Sequence, residues 1–361
     1  MRVVQIIDSL DAGGAERMAV NYANALSSTI EFSALIATRK EGVLQQQLNE
    51  NVPYLFLRKK SAFDLKALFL LRNFVKKNKI DIVHAHGTSF FTGFLLKLIH
   101  PKIKLIWHEH LGARVEENSF RNILLIVCSF LFDAVFVVNQ DLKIWMESHL
   151  WTKKVTYIPN FTNFNTNELS NTKLNGNAEK RIICVSNLKN PKNHILLLNA
   201  FLGLNLSDLG WSLHLIGKDY KDNYTDEIKK FIAQNNLENS VTIYDSKKDI
   251  FNLLNQATIG VLCSTSEGFP ITLLEYGLAK LPVISTNVGE CSTIINDDES
   301  GLLFDPKNLN QLQEQIFKLI SNKNFRDKLG LNLYQTVATE YSEEKIINLV
   351  VSKYNKVLIR C

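Results

Sequence analysis

Ile259-Gly260-Val261-Leu262-Cys263-Ser264-Thr265-Ser266-Glu267-Gly268-Phe269-Pro270-Ile271-Thr272-Leu273-Leu274-Glu275 reads as a strand, a polar turn and a helix. The run Ile259–Cys263 is short and apolar, and a loop carries Glu267. Pro270 stands where a helix starts, because the first helical N–H has no partner within the helix and proline lacks it. Glu275 then falls about a turn and a half into that helix. One carboxylate sits in the turn and another on the helix behind it. Carboxylates there can accept two hydroxyl hydrogen bonds each, as sugar or ribose offers, and Gly268 lets the backbone approach a ligand closely.

The same strand–turn–helix unit recurs in both directions along the chain. Val3–Ile7, Phe32–Ala37, Tyr54–Leu57, Ile82–His86, Lys104–His108, Ala134–Val138 and Val155–Ile158 read as strands. Glu16–Leu26, Leu65–Lys77, Thr92–Ile99 and Leu142–Ser148 between them read as helices. From Asn160 to Lys180 the alternation stops. It resumes with strands at Arg181–Val185, Leu213–Ile216, Val241–Tyr244, Ile259–Cys263 and Pro282–Thr286. Their helices are near His194–Phe201, Thr225–Gln234, Ile250–Leu254 and Ile271–Ala279, and Leu309–Ile320, Phe325–Thr339 and Glu343–Leu358 close the chain. Alternating strands and helices imply parallel sheets covered by helices on both faces. The reading is therefore α/β: two Rossmann-like, doubly wound domains facing a cleft. The first spans 1–160, a linker 161–180, and the second 181–342, with a last helix over 343–361. In such sheets ligands bind at the carboxyl ends of strands.

The totals agree with a folded, two-domain protein. The 361 residues exceed one usual core, and the chain is 46% hydrophobic and 21% charged. Cys128, Cys184, Cys263, Cys291 and Cys361 are odd in number, widely spaced and without a Cys-x-x-Cys pair, which argues against a disulfide framework and for a reducing compartment. The opening apolar run is too short for a signal peptide. The longest greasy stretch, from Ile123 to Phe132, is too short for a membrane span. A cytoplasmic protein is expected. Residues 1–165 hold 20 Lys+Arg against 14 Asp+Glu, while residues 166–361 hold 21 against 22. Basic runs such as Arg58-Lys59-Lys60 and Lys76-Lys77 suit an anionic partner, or form a solvated face. No aromatic–basic signature accompanies them, so nucleic acid is set aside. With the Ile123–Phe132 segment, they make an anionic membrane surface a candidate partner, the alternative being a buried core helix.

Three further constellations lie at strand ends. Asp11-Ala12-Gly13-Gly14-Ala15-Glu16 puts two glycines at a helix N-terminus, where free N–H groups suit an anion; alone it reads equally as a tight turn. Asn187-Leu188-Lys189-Asn190-Pro191-Lys192-Asn193-His194 puts Lys189 and Lys192 before a helix, where they could neutralise a diphosphate or simply be solvated. His84-Ala85-His86 and His108-Glu109-His110 end two strands, each pair on one face. Four histidines invite a metal-site reading and, with it, a metal-dependent hydrolase. A polar wall with one functional histidine is the reading preferred here, with no metal.

Taken in order, these segments resemble the retaining glycosyltransferases of the GT-B fold, in the large family four. Glu267-Gly268-Phe269-Pro270 with Glu275 resembles that family's Glu-x7-Glu motif. Gly13-Gly14-Ala15-Glu16, Asp81-Ile82-Val83-His84-Ala85-His86-Gly87, the His108-Glu109-His110 strand end, Tyr157-Ile158-Pro159-Asn160, Lys192, Leu281–Thr286 and Gly301-Leu302-Leu303-Phe304 agree in order and spacing, across nearly the whole chain. The resemblance implies transfer of a sugar, with retention of configuration, from a UDP- or GDP-linked donor to a glycan or lipid-linked acceptor. Surface polysaccharide or glycoconjugate synthesis is the implied setting, and no metal or other cofactor is implied; no Asp-x-Asp string occurs. It implies a donor held mainly by the second domain, with Glu275 on the ribose, Lys192 on the diphosphate, and Glu267, Gly268 and Phe269 near the transferred sugar. His110 would lie close to the reacting sugar, Gly13 and Gly14 would face the diphosphate, and the last helix would cross back to the first domain. Two positions depart from the pattern. Asn187 stands where the family often has Arg, with Lys189 as a substitute lacking the guanidinium fork. Thr293 falls in Gly289-Glu290-Cys291-Ser292-Thr293, where the family's Glu is not matched. A weakly active nucleotide-sugar-binding partner subunit is the reading these departures would favour.

Overall fold

The computed structural model describes residues 1–112, 114, 119–162 and 171–359. The chain forms two compact units: Met1–Phe161 with Glu343–Cys361, and Thr162–Ser342. In the first unit the elements run β1 (Arg2–Ser9), α1 (Gly14–Ser27), β2 (Phe32–Lys40), β3 (Tyr54–Phe56), α2 (Leu65–Lys77), β4 (Ile82–His86) and α3 (Phe90–Ile99). β5 (Lys104–Glu109), α4 (Ser119–Cys128), β6 (Ala134–Val137), α5 (Gln140–His149) and β7 (Val155–Tyr157) follow. The seven strands form one sheet in the order β3-β2-β1-β4-β5-β6-β7, parallel throughout.

The second unit carries β8 (Arg181–Val185), α6 (His194–Gly203), β9 (Ser212–Ile216), α7 (Asn223–Gln234), β10 (Val241–Tyr244), α8 (Ile250–Asn255) and β11 (Ile259–Leu262). After these come α9 (Ile271–Leu278), β12 (Val283–Thr286), α10 (Cys291–Ile294), β13 (Leu302–Phe304), α11 (Leu309–Ser321) and α12 (Lys323–Glu340). Its sheet order is β10-β9-β8-β11-β12-β13, again parallel. Both sheets are doubly wound and Rossmann-like.

The central strands are apolar almost without break because helices cover both faces of each sheet. Val3, Val4, Ile6, Ile182, Ile183, Val261 and Leu262 are all buried. Side-chain caps start the helices. Asp64 accepts from Ala67 N (3.1 Å) before α2, and Asp222 accepts from Thr225 N (3.1 Å) before α7. Small residues set the closest packing: a Cβ on Gly277 of α9 would lie 2.5 Å from Val337 Cγ2 of α12, so these two helices cross there.

The closing helix α13 (Glu343–Ile359) belongs to the first unit, packs beside α1 and buries Ile346, Ile347, Val350 and Tyr354. The aperiodic stretch from Asn160 has its unit boundary after Phe161. Part of it, 163–170, lies outside the described residues. The part at 171–180 is held on the second unit: Asn171 N and Thr172 N donate to Asp249 Oδ2 (3.1 and 2.8 Å), and Leu174 N donates to Gln256 Oε1 (3.0 Å). Cys128, Cys184, Cys263 and Cys291 are buried free thiols. Among the described residues no helix is long and apolar enough to cross a membrane.

Candidate active site

β8 and β11 are neighbours at the middle of the second sheet, and the chain leaves them in opposite directions, β8 toward β9 and β11 toward β12. That reversal is a topological switch point, the place beyond the strands' carboxyl ends where such sheets bind ligands. The segments singled out by sequence are the two loops that flank it. After β8, Asn187 Oδ1 accepts from Lys218 N (3.0 Å), and Leu188 bridges to Asp219. A Cβ on Gly217 would fall 2.1 Å from Ser186 O, so the loop lies directly on that glycine. After β11, Thr265 N donates to Pro191 O (2.8 Å), tying the two loops together.

Lys192 and Glu267 meet across this junction, with Nζ donating to Oε1 over 2.6 Å. Both are largely buried, with side chains 22% and 10% exposed. The Glu267–Gly268 turn is fixed from behind: Glu290 N donates to Gly268 O (3.1 Å), and Gly289 has a φ of +52°. A Cβ on Gly289 would lie 2.1 Å from Glu267 O. Phe269 is buried edge-on against Tyr341, ring centroids 5.3 Å apart. Glu275 is buried on α9. Lys189 is exposed, and its Nζ sits over the Tyr220 ring, as does that of Lys218 (5.6 and 5.1 Å to the centroid). Thr293 lies in α10, where its carbonyl accepts from Tyr341 Oη (3.1 Å). Thus Asn187, Lys192, Glu267 and Gly268 gather at the switch point, with Phe269 and Glu275 on the helix start behind it.

The first unit has its own switch point between β1 and β4. Gly13 is the N-cap of α1 and Gly14 its first residue; the carboxylate of Glu16 folds back so far that a Cβ on Gly13 would lie 2.2 Å from it. His110 follows β5. Glu109 Oε1 accepts from His110 N and Leu111 N (2.9 Å each), and Arg114 pairs with the same carboxylate, which holds the turn that presents His110.

The two His-x-His pairs do converge, because β4 and β5 are in register with His86 opposite His108. His86 Nδ1 lies 2.9 Å from His110 Nε2, and His86 Nε2 lies 2.8 Å from Gln5 Oε1. His84 Nδ1 lies 2.6 Å from Tyr354 Oη, and the His108 and His110 rings stack at 4.1 Å. Burial holds His84, His86 and His108 far below the usual imidazole pKa, with neighbouring histidines adding to it. Burial likewise lowers His110 to about 3, although Asn160 raises it somewhat. All four are neutral at pH 7. His110 alone of them is only partly buried.

His84, His86 and His108 place ligand atoms within 4.8 Å of one another. Two tetrahedral Zn–N bonds would set ~3.4 Å. The near-parallel rings of His84 and His108 (7°) aim their in-plane lone pairs along parallel planes, and both nitrogens of His86 are already engaged. The triad is fully buried. The hydrolase reading finds no support.

Gln5, Tyr22, Asn160 and Tyr354 surround the histidines and were not singled out as site residues. Gln5 had a signal: it is the one polar residue in Val3-Val4-Gln5-Ile6-Ile7, a strand buried on both faces, where a polar side chain needs a dedicated partner. Tyr354 had none, since only the tertiary return of α13 brings it to β4.

Comparison with known proteins agrees with the geometry. Residues 165–336 match the family described as Glycosyl transferases group 1, and residues 12–165 match Glycosyltransferase Family 4. The amylovoran biosynthesis glycosyltransferase AmsD of Erwinia amylovora is 26% identical over 99% of each chain. The Campylobacter jejuni alpha-1,4-N-acetyl-D-galactosaminyltransferase whose name specifies a GalNAc-alpha-(1->4)-GalNAc-alpha-(1->3)-diNAcBac-PP-undecaprenol is 25% identical over 93% of each. Among solved structures, Anabaena Alr3699/HepE in complex with UDP and glucose superposes with a TM-score of 0.84 at 15% identity, covering 99% of this chain and 100% of that one.

Proposed function

This chain belongs to the group 1, family four glycosyltransferases, and from that premise we propose that it moves a sugar from a UDP- or GDP-linked donor to a glycan or lipid-linked acceptor, retaining the anomeric configuration. The observation that carries the reading is the pairing of Lys192 with Glu267 at the second sheet's switch point, with Glu275 on the adjoining helix. In the reaction the bond from the anomeric carbon to the diphosphate oxygen breaks, and a bond to the acceptor oxygen forms. The acceptor's proton passes to the departing phosphate. Lys192 and the N-terminus of α6 stabilise negative charge on the diphosphate, Glu275 accepts from the ribose hydroxyls, and Glu267, Gly268 and Phe269 hold the sugar. Neutral His110 is suited to hydrogen bonding near the reacting carbon. We assign this chemistry no metal.

Relatives named for amylovoran biosynthesis and for transfer to an undecaprenol-linked GalNAc glycan support a role in surface polysaccharide or glycoconjugate assembly, which we place at the inner face of the plasma membrane. Thermal-shift binding with UDP, GDP, ADP and their sugar conjugates tests the donor. We expect one nucleotide to stabilise the protein and Glu275→Ala and Lys192→Ala each to remove that shift. The absence of a shift with every nucleotide at millimolar concentration would overturn the reading.

A further inference from the structure

Helices α2, α3 and α4 lie side by side on one face of the first sheet, α3 packing between the other two. Each buries one stripe against the strands: Leu68, Leu71 and Val75 from α2, Leu96 from α3, Leu125 and Cys128 from α4. The opposite stripe of a surface helix is normally polar. Here it is not. Phe69 (53% exposed), Leu70, Leu98, Ile123 and Val127 face outward, as does Phe130 (73% exposed) in the turn that follows α4. Single exposed apolar residues are ordinary, but a set spanning three adjacent helices marks an interaction surface.

Its charge says what it meets. α2, α3 and α4 contain no Asp or Glu. Between Leu65 and Lys104 there are eight Lys or Arg, of which Lys97 and Lys104 pair with Asp133, and a single acid, Asp81, which accepts from Arg2 N (2.8 Å) at the start of β1. Arg72, Lys76 and Lys102 crowd around His100 where α2 and α3 end; burial lowers the His100 pKa, and these three cations lower it further. An apolar stripe beside a cationic cluster is complementary to a bilayer with anionic headgroups, which takes the apolar side chains into its boundary and the cations at its phosphates.

We infer that the α2–α3–α4 face of the first unit is a membrane-docking surface for anionic lipid. This rests on the membrane association proposed above and gives it a location, independent of the nucleotide site in the second unit. The test is flotation with vesicles of phosphatidylglycerol and phosphatidylethanolamine against vesicles of phosphatidylcholine alone. Wild type should float with the anionic vesicles, less at high salt, and not with phosphatidylcholine. Arg72→Gln with Lys76→Gln should weaken binding about fivefold per neutralised residue. Phe69→Ser with Val127→Ser and Phe130→Ser should abolish flotation, while Phe317→Ser, an exposed position of the second unit, should not. All are surface changes, and a retained nucleotide thermal shift verifies folding. If wild type floats and the α2–α4 variants float equally, the location is wrong while membrane association stands. If wild type does not float, both fall. If it instead dimerises in sedimentation and the triple variant is monomeric, the face is a protein interface and the inference is overturned.

Discussion

Lys192 and Glu267 are 75 residues apart in sequence and 2.6 Å apart in space, each the other's charge partner at the second sheet's switch point. A diphosphate seated on Lys192 would therefore compete with Glu267 for the ammonium. The two effects of changing Glu267 then separate. Glu267→Gln removes the competitor, so nucleoside diphosphate should bind several-fold tighter in calorimetry. It also removes a carboxylate from beside the sugar, so turnover should fall by ~100-fold. Lys192→Ala should weaken binding and turnover together. Unchanged nucleotide affinity in both variants would show that the pair is structural.

Gln5, His86 and His110 form a chain whose proton positions are set from one end. Gln5 Oε1 can only accept, so His86 Nε2 carries its proton and His86 Nδ1 is an acceptor. His110 Nε2 must then donate to it, which leaves His110 Nδ1 as the lone pair. Gln5→Leu frees His86 to turn over its tautomer. We expect kcat to fall about tenfold with donor KM unchanged, and the Gln5→Leu/His110→Ala double variant to be no worse than His110→Ala alone. Additive losses would mean that Gln5 acts on stability and not through His110.

Much of this architecture was legible from short apolar runs. Ile82–His86, Arg181–Val185, Val241–Tyr244 and Leu65–Lys77 have the bounds read from sequence. What was missed has physical causes. β13 is an edge strand of three residues, too short to show a period, and α10 is a single turn. α4 is so apolar around Ile123–Cys128 that its helical periodicity is masked, and its outward stripe reads as core. In the site, strand alternation put His84 with His86 and His108 with His110. Only the β4–β5 register could show that the pairs meet, and only the fold of α13 could add Tyr354.

Gly289 is required by geometry. Its φ of +52° is one that side-chain-bearing residues rarely adopt, and a Cβ would collide with Glu267 O at 2.1 Å. Gly289→Ala must therefore move the Glu267–Gly268 turn. We expect a destabilisation of more than ~1 kcal/mol, read by urea unfolding, together with loss of sugar-nucleotide turnover. Full activity with unchanged stability would show that the turn does not hold the substrate.

The buried histidines predict the acid limit of the first unit. His84, His86 and His108 are fully buried, and burial keeps each one's folded pKa far below the unfolded value of ~6.5. The neutral form is native, so the unfolded chain binds more protons as pH falls. Stability is therefore nearly complete above about pH 7.5 and is lost progressively as pH falls through ~6.5. Each imidazole that stays neutral costs ~1.4 kcal/mol per pH unit below its unfolded pKa, so the three together remove about 4 kcal/mol by pH 5.5. That is a large share of the 5–15 kcal/mol typical of a domain. Urea midpoints followed by Trp107 fluorescence, a buried reporter in the same unit, should fall steeply between pH 7 and 5.5. His108→Phe should flatten the slope by about a third, and a pH-independent midpoint would show that these imidazoles are protonated in the folded protein.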